Sequence, residues 1–231
     1  VERKVETTNT EAYEFYLKAK HKYDKRENTD DTEIARGLLN KAIELDNNLI
    51  AAEALLGWTY SETCDYDKAM DNYTPALKKA EKLGDKKGIG ESLNGIGVMH
   101  YQKGDYDIAL GYFERSLKIR EELGDKRGIG DSLNNIGNVH SDKGDYDKAL
   151  DYWGRSLAIY EELGDKRGIG LILNNIGIVH AEKGENEKAL DYLERSLAIR
   201  EEIGDKQGIG SSLVNIGIVY SEKGDNEKAL E

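Results

Sequence analysis

Between residues 129 and 160 the apolar positions fall into two stripes. Ile129, Leu133, Ile136 and His140 follow one another at i, i+4, i+7 and i+11, the spacing of a single helix face. After Lys143-Gly144-Asp145 a second stripe runs through Tyr146, Ala149, Leu150, Trp153, Leu157 and Tyr160. The pattern predicts two antiparallel helices across a three-residue turn, with Gly144 left-handed at the end of the first and Asp145 capping the second. The phrase returns every 40 residues: Gly57, Gly97, Gly137, Gly177 and Gly217 keep that interval, as do the turn glycines Gly104, Gly144, Gly184 and Gly224. A fixed period in the range of about 20–50 residues marks an array in which one helical unit stacks on the next. Strand signals are absent and Pro75 is the one proline, so the predicted class is all-α, an array of antiparallel helix pairs.

Consecutive pairs are linked by a glycine-rich heptapeptide: GDKKGIG at 84–90, GDKRGIG at 124–130 and 164–170, and GDKQGIG at 204–210. It looks like a phosphate cradle. Such a loop needs a preceding strand and, for the P-loop, a Gly-Lys-Ser/Thr ending, and the chain supplies neither. The preferred reading is a joint. Gly124 ends one helix, Asp125 caps the next, and Gly128 and Gly130 fall in its first turns, where each costs about 1 kcal/mol against alanine. Close approach of neighbouring helices would offset that cost.

The N-terminal part departs from the period. Residues 11–25 read as a first helix, 32–48 as its partner, and ENTDD at 27–31 as a longer turn. The expected division is a linker at 1–9 and a single array over 10–231. Its repeats are 10–47, 48–87, 88–127, 128–167 and 168–207, with an incomplete one at 208–231. The chain begins with Val and stops partway through the pattern, as expected of a piece of a longer protein. With 33 Lys+Arg against 45 Asp+Glu, the net charge of −12 argues against nucleic acid or anionic lipid as partner. The single cysteine, Cys64, allows no internal disulfide and fits a reducing, cytoplasmic setting. No apolar run approaches the ~20 residues of a membrane span, and the N-terminus lacks the apolar stretch of a secretory signal.

The segment LNNIGNVHSDKGDYDKALDYWGRSL (133–157) resembles a tetratricopeptide repeat. Leu133, Ile136, Gly137, His140, Ala149 and Trp153 take, in order, the places of the pattern W-x2-L-G-x2-Y…A-x3-F. The resemblance covers roughly residues 10–231. With 40 residues per unit rather than the usual number of about 34, the chain is similar to the long-repeat class of kinesin light chains, spindle-orientation adaptors and many bacterial signalling proteins. The N-terminal passage also resembles arrays carried by bacterial class III adenylate cyclases, and AIELDNN the end of an ordinary repeat. The resemblance implies a right-handed superhelical solenoid whose first helices line a concave groove.

Catalytic and metal chemistry find little support. His100, His140 and His180 share the slot of Tyr60 and Tyr220, which reads as an aromatic packing position. Ligands to one metal must lie within about 2 Å of it, whereas neighbouring helices stand about 8–10 Å apart. Cys64 replaces a turn glycine and has no basic or thiol partner nearby, and acidic pairs such as Glu161-Glu162 read as a solvated face. No metal, cofactor or enzyme activity is expected.

Binding is the stronger expectation. The family geometry places Asn94, Asn134 and Asn174 in one row facing the groove, with Asn135, Asn175 and Asn215 beside it. Asparagine is a mediocre helix former, and its carboxamide carries both an acceptor and donors. Such a ladder can clamp a peptide backbone, as groove asparagines do in the long-repeat relatives; the other reading has it bonding neighbouring helices. The next slot reads Trp58, Val98, Asn138, Ile178 and Ile218, followed by Glu62, Gln102, Asp142, Glu182 and Glu222, and Tyr101 offers a stacking surface. A ligand with apolar and basic residues suits that face. The absence of inner Lys and Arg argues against an acidic C-terminal peptide. The preferred function is a protein-interaction scaffold. The alternative is a regulatory or self-associating module of a larger bacterial signalling protein, attached to a cyclase or kinase domain, with contact through the incomplete last repeat. An enzyme ranks third.

Overall fold

A computed structural model of the chain describes residues 9–26 and 28–225, and every regular element among them is an α-helix. The chain divides into two compact units, Val1–Gly124 and Asp125–Glu231. The first holds α1 (Thr10–Asp24), α2 (Thr29–Leu45), α3 (Ile50–Glu62), α4 (Tyr66–Leu83), α5 (Lys86–Gln102) and α6 (Tyr106–Leu123). The second holds α7 (Lys126–Asp142), α8 (Tyr146–Leu163), α9 (Lys166–Glu182), α10 (Asn186–Glu202) and α11 (Lys206–Glu222). Of the linker expected at 1–9 only Asn9 is described, and its side chain caps α1 by accepting from the Ala12 N–H. Residues 226–231 of the last repeat also lie outside the described residues.

The glycine-rich heptapeptide is a joint. Gly164 ends α8 with φ +64°, and the Asp165 carboxylate accepts from the Gly168 N–H at 3.1 Å to cap α9. The third glycine of the motif lets the second helix come close. Buried Ser116, Ser156 and Ser196 donate to the carbonyls of Gly90, Gly130 and Gly170 at 2.8, 2.9 and 2.6 Å. Each hydroxyl thus reaches the partner helix's backbone where a bulky side chain would hold the helices apart.

In three of the pairs, a glycine of the first helix faces a large buried side chain of the second. A Cβ at Gly97 would stand 2.7 Å from the Phe113 ring, one at Gly137 would stand 2.6 Å from Trp153 Nε1, and one at Gly177 would stand 2.7 Å from Leu193. Of the predicted stripes, Leu133 and Ile136 on α7 and Ala149, Trp153 and Tyr160 on α8 are buried, while Ile129, His140, Tyr146, Leu150 and Leu157 are half-buried. The histidine slot is likewise a packing position. His100, His140 and His180 stack on Tyr112, Tyr152 and Tyr192 with centroids 5.5, 5.5 and 5.4 Å apart.

The structure corrects two local expectations. Asp145 occupies the N-cap position of α8, but its side chain makes no capping bond. It accepts instead from Lys148 Nζ at 2.6 Å and faces His140, and the lysine's hydrogen bond holds the carboxyl below its ordinary range. Glu185 behaves the same way with Lys188 and His180. The turn expected at 27–31 is also shorter. Helix α2 starts at Thr29 because Asn28 accepts from the Asp31 N–H, placing Asp30 and Asp31 in the first turn, where the helix dipole favours them.

Cys64 takes the turn-glycine position with φ +58°, in the left-handed region that costs a residue with a Cβ about 1–2 kcal/mol. Cys64→Gly removes that strain while adding about 0.5–1 kcal/mol of unfolded-chain entropy, so a net gain of about 0.5–1 kcal/mol is expected, read as a rise of a few degrees in thermal midpoint. Gly137→Ala is expected to lower stability by about 1–3 kcal/mol through overpacking against Trp153, seen as an earlier urea midpoint and altered tryptophan fluorescence.

Candidate functional site

The first helices of the second unit, α7, α9 and α11, carry six of the seven candidate groove asparagines. Asn175 on α9 donates through Nδ2 to Asn134 Oδ1 at 3.2 Å and to Asn138 Oδ1 at 3.3 Å on α7. One repeat on, Asn215 of α11 donates to Asn174 Oδ1 at 3.0 Å. The two sequence-predicted rows therefore bond to each other across repeats. Successive residues of α9 serve the two neighbours, Asn175 pointing back and Asn174 forward. Trp153 strengthens the relay, its Nε1 donating to Asn138 Oδ1 at 3.2 Å and to the Asn134 carbonyl at 3.3 Å.

This geometry fixes which end of each carboxamide is left over. Asn134 and Asn174 are 8% and 6% exposed, and their oxygens are occupied, as is that of the half-buried Asn138. Their NH2 groups make no hydrogen bond among the described residues and are not sealed from solvent. The chemical result is a set of donors with their acceptors already engaged. Asn135, beside this set on α7, is half-buried. On the first unit Trp58 is exposed and Asn94 half-buried, while the Tyr101 ring, expected to offer a stacking surface, tilts against Tyr106 at 5.9 Å.

Carboxylates border the donors. Asp131 accepts from the Tyr160 hydroxyl at 2.6 Å, and burial, with Asp131 adding to it, pushes that phenol up. Asp142, Glu182 and Glu222 are exposed near the C-terminal ends of their helices. Glu182 accepts from Tyr146, which raises that phenol in turn. Lys183 and Lys223 turn away, to Asp147 at 3.0 Å and Glu187 at 3.1 Å. Among the described residues no group of three or more His, Cys, Asp or Glu could hold a metal ion. Nor is any described helix long and apolar enough to cross a membrane.

Sequence reasoning missed Leu171 and Val214. Both are exposed, and Leu171 stands in a slot that is Glu91, Asp131 or Ser211 in three other repeats. That break in a polar register was the available signal.

A family model described as tetratricopeptide repeat matches residues 88–162 and 168–231. The chain belongs to the tetratricopeptide repeat family. No curated protein matches this tetratricopeptide array in sequence. Among solved structures it is similar to BtubC (BKLC) from P. vanneervenii, with a TM-score of 0.69 and 22% identity over 96% of this chain and 88% of that one. It is also similar to a Signal Transduction ATPase with Numerous Domains carrying a tetratricopeptide repeat sensor, from Pyrococcus horikoshii, with a TM-score of 0.77 and 19% identity over 94% of this chain. The array spans 34% of that protein's length. A Rap protein complexed with Competence and Sporulation Factor gives a TM-score of 0.74 at 15% identity, over 97% and 73% of the two chains. At such identities the likeness is one of fold.

The relay has a measurable share in stability. Asn175→Ala leaves the Asn134 and Asn138 oxygens short of a donor, a loss of about 1–3 kcal/mol for groups so placed. The urea midpoint should fall accordingly; an unchanged midpoint would show that the relay carries no weight.

Proposed function

We propose that this tetratricopeptide array is a non-catalytic scaffold that holds an extended peptide segment of a partner protein along the face of its first helices. The observation that carries the reading is the set of NH2 groups on Asn134, Asn138 and Asn174, whose oxygens are already engaged. Main-chain carbonyls are the complementary acceptors, and every peptide has them. Neighbouring helices stand about 8–10 Å apart and an extended chain advances about 3.3 Å per residue, so the ligand would meet one donor helix every three residues or so. Trp58, Asn94 and Tyr101 are proposed as contacts of the same kind on the first unit. Apolar and basic side chains suit the ligand, given Ile178, Ile218 and the carboxylates of Glu182 and Glu222. The Rap protein complexed with Competence and Sporulation Factor supports ligand binding on this fold. The single cysteine and the acidic charge fit a cytoplasmic setting.

The test is a double variant, Asn134→Asp/Asn174→Asp, which keeps the acceptor oxygen for Asn175 and Asn215 and removes the NH2. Peptides selected from a displayed library of random 12-residue sequences on the native chain would be titrated against both proteins by fluorescence anisotropy. At about 1 kcal/mol per hydrogen bond, the variant should bind about tenfold or more weakly, with circular dichroism checking that the helices persist despite the lower melting temperature that two buried carboxylates bring. Equal affinity would overturn the role of the donors.

A second reading, docking to itself or to an attached signalling domain, is favoured by Leu213, which is exposed where Leu93, Leu133 and Leu173 are buried. A molecular mass that rises with concentration would support it.

A further inference from the structure

Arg200 of α10 is 6% exposed, yet no carboxylate among the described residues forms an ion pair with it. A Cβ at Gly170 on α9 would stand 3.2 Å from its Cγ, and one at Gly208 on α11 would stand 2.7 Å from its Cδ. The side chain therefore passes between two first helices where both lack a Cβ. Nη1 donates to the Gly208 carbonyl at 2.6 Å and to Ser212 Oγ at 3.1 Å. Nε and Nη2 make no hydrogen bond among the described residues and are not sealed from solvent. Burial presses the guanidinium below its ordinary range, opposed by Asp205, whose Oδ1 is already occupied by the Gly208 N–H.

The preceding repeat shows what is missing. Tyr160 holds the place of Arg200 there, passes between Gly130 and Gly168, and donates its hydroxyl to Asp131 at 2.6 Å. One repeat earlier still, Arg120 and Glu91 hold the same two places. In the repeat at 168–207 the place of the acid is taken by Leu171. The local charge inverts with it. Around Tyr160 stand Arg127, Asp131 and Asp165, one cation against two carboxylates, with Arg127 paired to Asp165 at 3.0 Å. The corresponding set is Arg167, Leu171, Asp205 and Arg200, two cations against one carboxylate. Arg167 is exposed, stands four residues before Leu171 on the same side of α9, and makes no ion pair among the described residues. Tyr160, with further repeats on either side, is 3% exposed, so the burial of Arg200 is a property of its slot.

We infer that Arg200, assisted by Arg167, takes a carboxylate of the partner segment, an Asp or Glu side chain or the chain terminus, at the place that Asp131 fills one repeat earlier. Nε and Nη2 of a guanidinium lie side by side and match the two oxygens of a carboxylate. The absence of Lys and Arg from the slots of Ile178 and Glu182 argued against an acidic ligand, but this cation enters from a second helix. The inference rests on the proposed peptide-holding face and adds an acidic determinant to it, about one helical turn before Asn174.

Leu171→Asp tests this without altering Arg200, because it restores the acid of the neighbouring repeat at an exposed position. Peptides selected on the native chain from the library described above are expected to carry Asp or Glu, or to need a free C-terminus. Their binding, read by fluorescence anisotropy, should weaken at least fivefold with Leu171→Asp and with Arg167→Gln, and be unchanged with Leu171→Asn. Replacing the peptide's acid by its amide should cost a similar factor on the native chain and nothing on Leu171→Asp; amidating the C-terminus does so instead if the terminus is the group bound. Affinities indifferent to Leu171→Asp, or weakened equally by Leu171→Asn, overturn the subsite. A pool without acidic preference also overturns it, even where Asn134→Asp/Asn174→Asp still weakens binding. Conversely, an acid-requiring pool that responds to Leu171→Asp but not to the asparagine variant supports the subsite and overturns the carboxamide donors. Failure to enrich any peptide overturns both.

Discussion

In four helix pairs the first helix, α3, α5, α7 or α9, lacks a side chain at the point where the second places a large one. A Cβ at Gly57 would meet the Tyr73 ring at 3.0 Å, and the same position recurs under Phe113, Trp153 and Leu193. The bulky group fills the space and fixes how deep and at what rotation the two helices lock. Rotation is the consequential part. Once Gly137 faces Trp153, the residue three positions before it and the residue one position after it have settled directions. Those are Asn134 and Asn138, and Trp153 binds both through one N–H. The aromatic that seals the core thus also orients the polar groups on the helix it packs against.

The 40-residue period made most of the fold readable, because its signals are local. Gly144 and Gly164 take left-handed backbone where the pattern breaks, and Asp165 caps the helix it begins. The capping expectation for Asp145 failed because side chains nearby in sequence competed with the backbone. Asp145 and Glu185 stand at N-cap positions, yet charged donors on Lys148 and Lys188 and the stacked histidines draw their carboxylates off the backbone. For the candidate site, residue type and helix face were legible and the use of the groups was not. Nothing in the triplet around Asn174 reveals that its oxygen is taken by Asn215, a residue 41 positions away. Leu171 was overlooked because the search followed repeated residues, and its information lies in failing to repeat.

The histidine–tyrosine stacks and the lysine–glutamate contacts show the same economy at two depths. His140 and Tyr152 join the two helices of one pair, while Lys126–Glu162 and Lys166–Glu202 join the start of one first helix to the end of the second helix that follows it. Each contact closes over residues within one period of the chain, so the array is assembled from short-range bonds.

The position shared by Asp131, Leu171 and Ser211 lies apart from the residues that fill the core. Its occupant changes from acid to aliphatic to hydroxyl while Leu133, Leu173, Ile136 and Ile176 beneath stay buried. Structure and message are thus written on different sides of the same helix. A lineage of such chains can revise what is displayed one character at a time, leaving the page on which it is set intact.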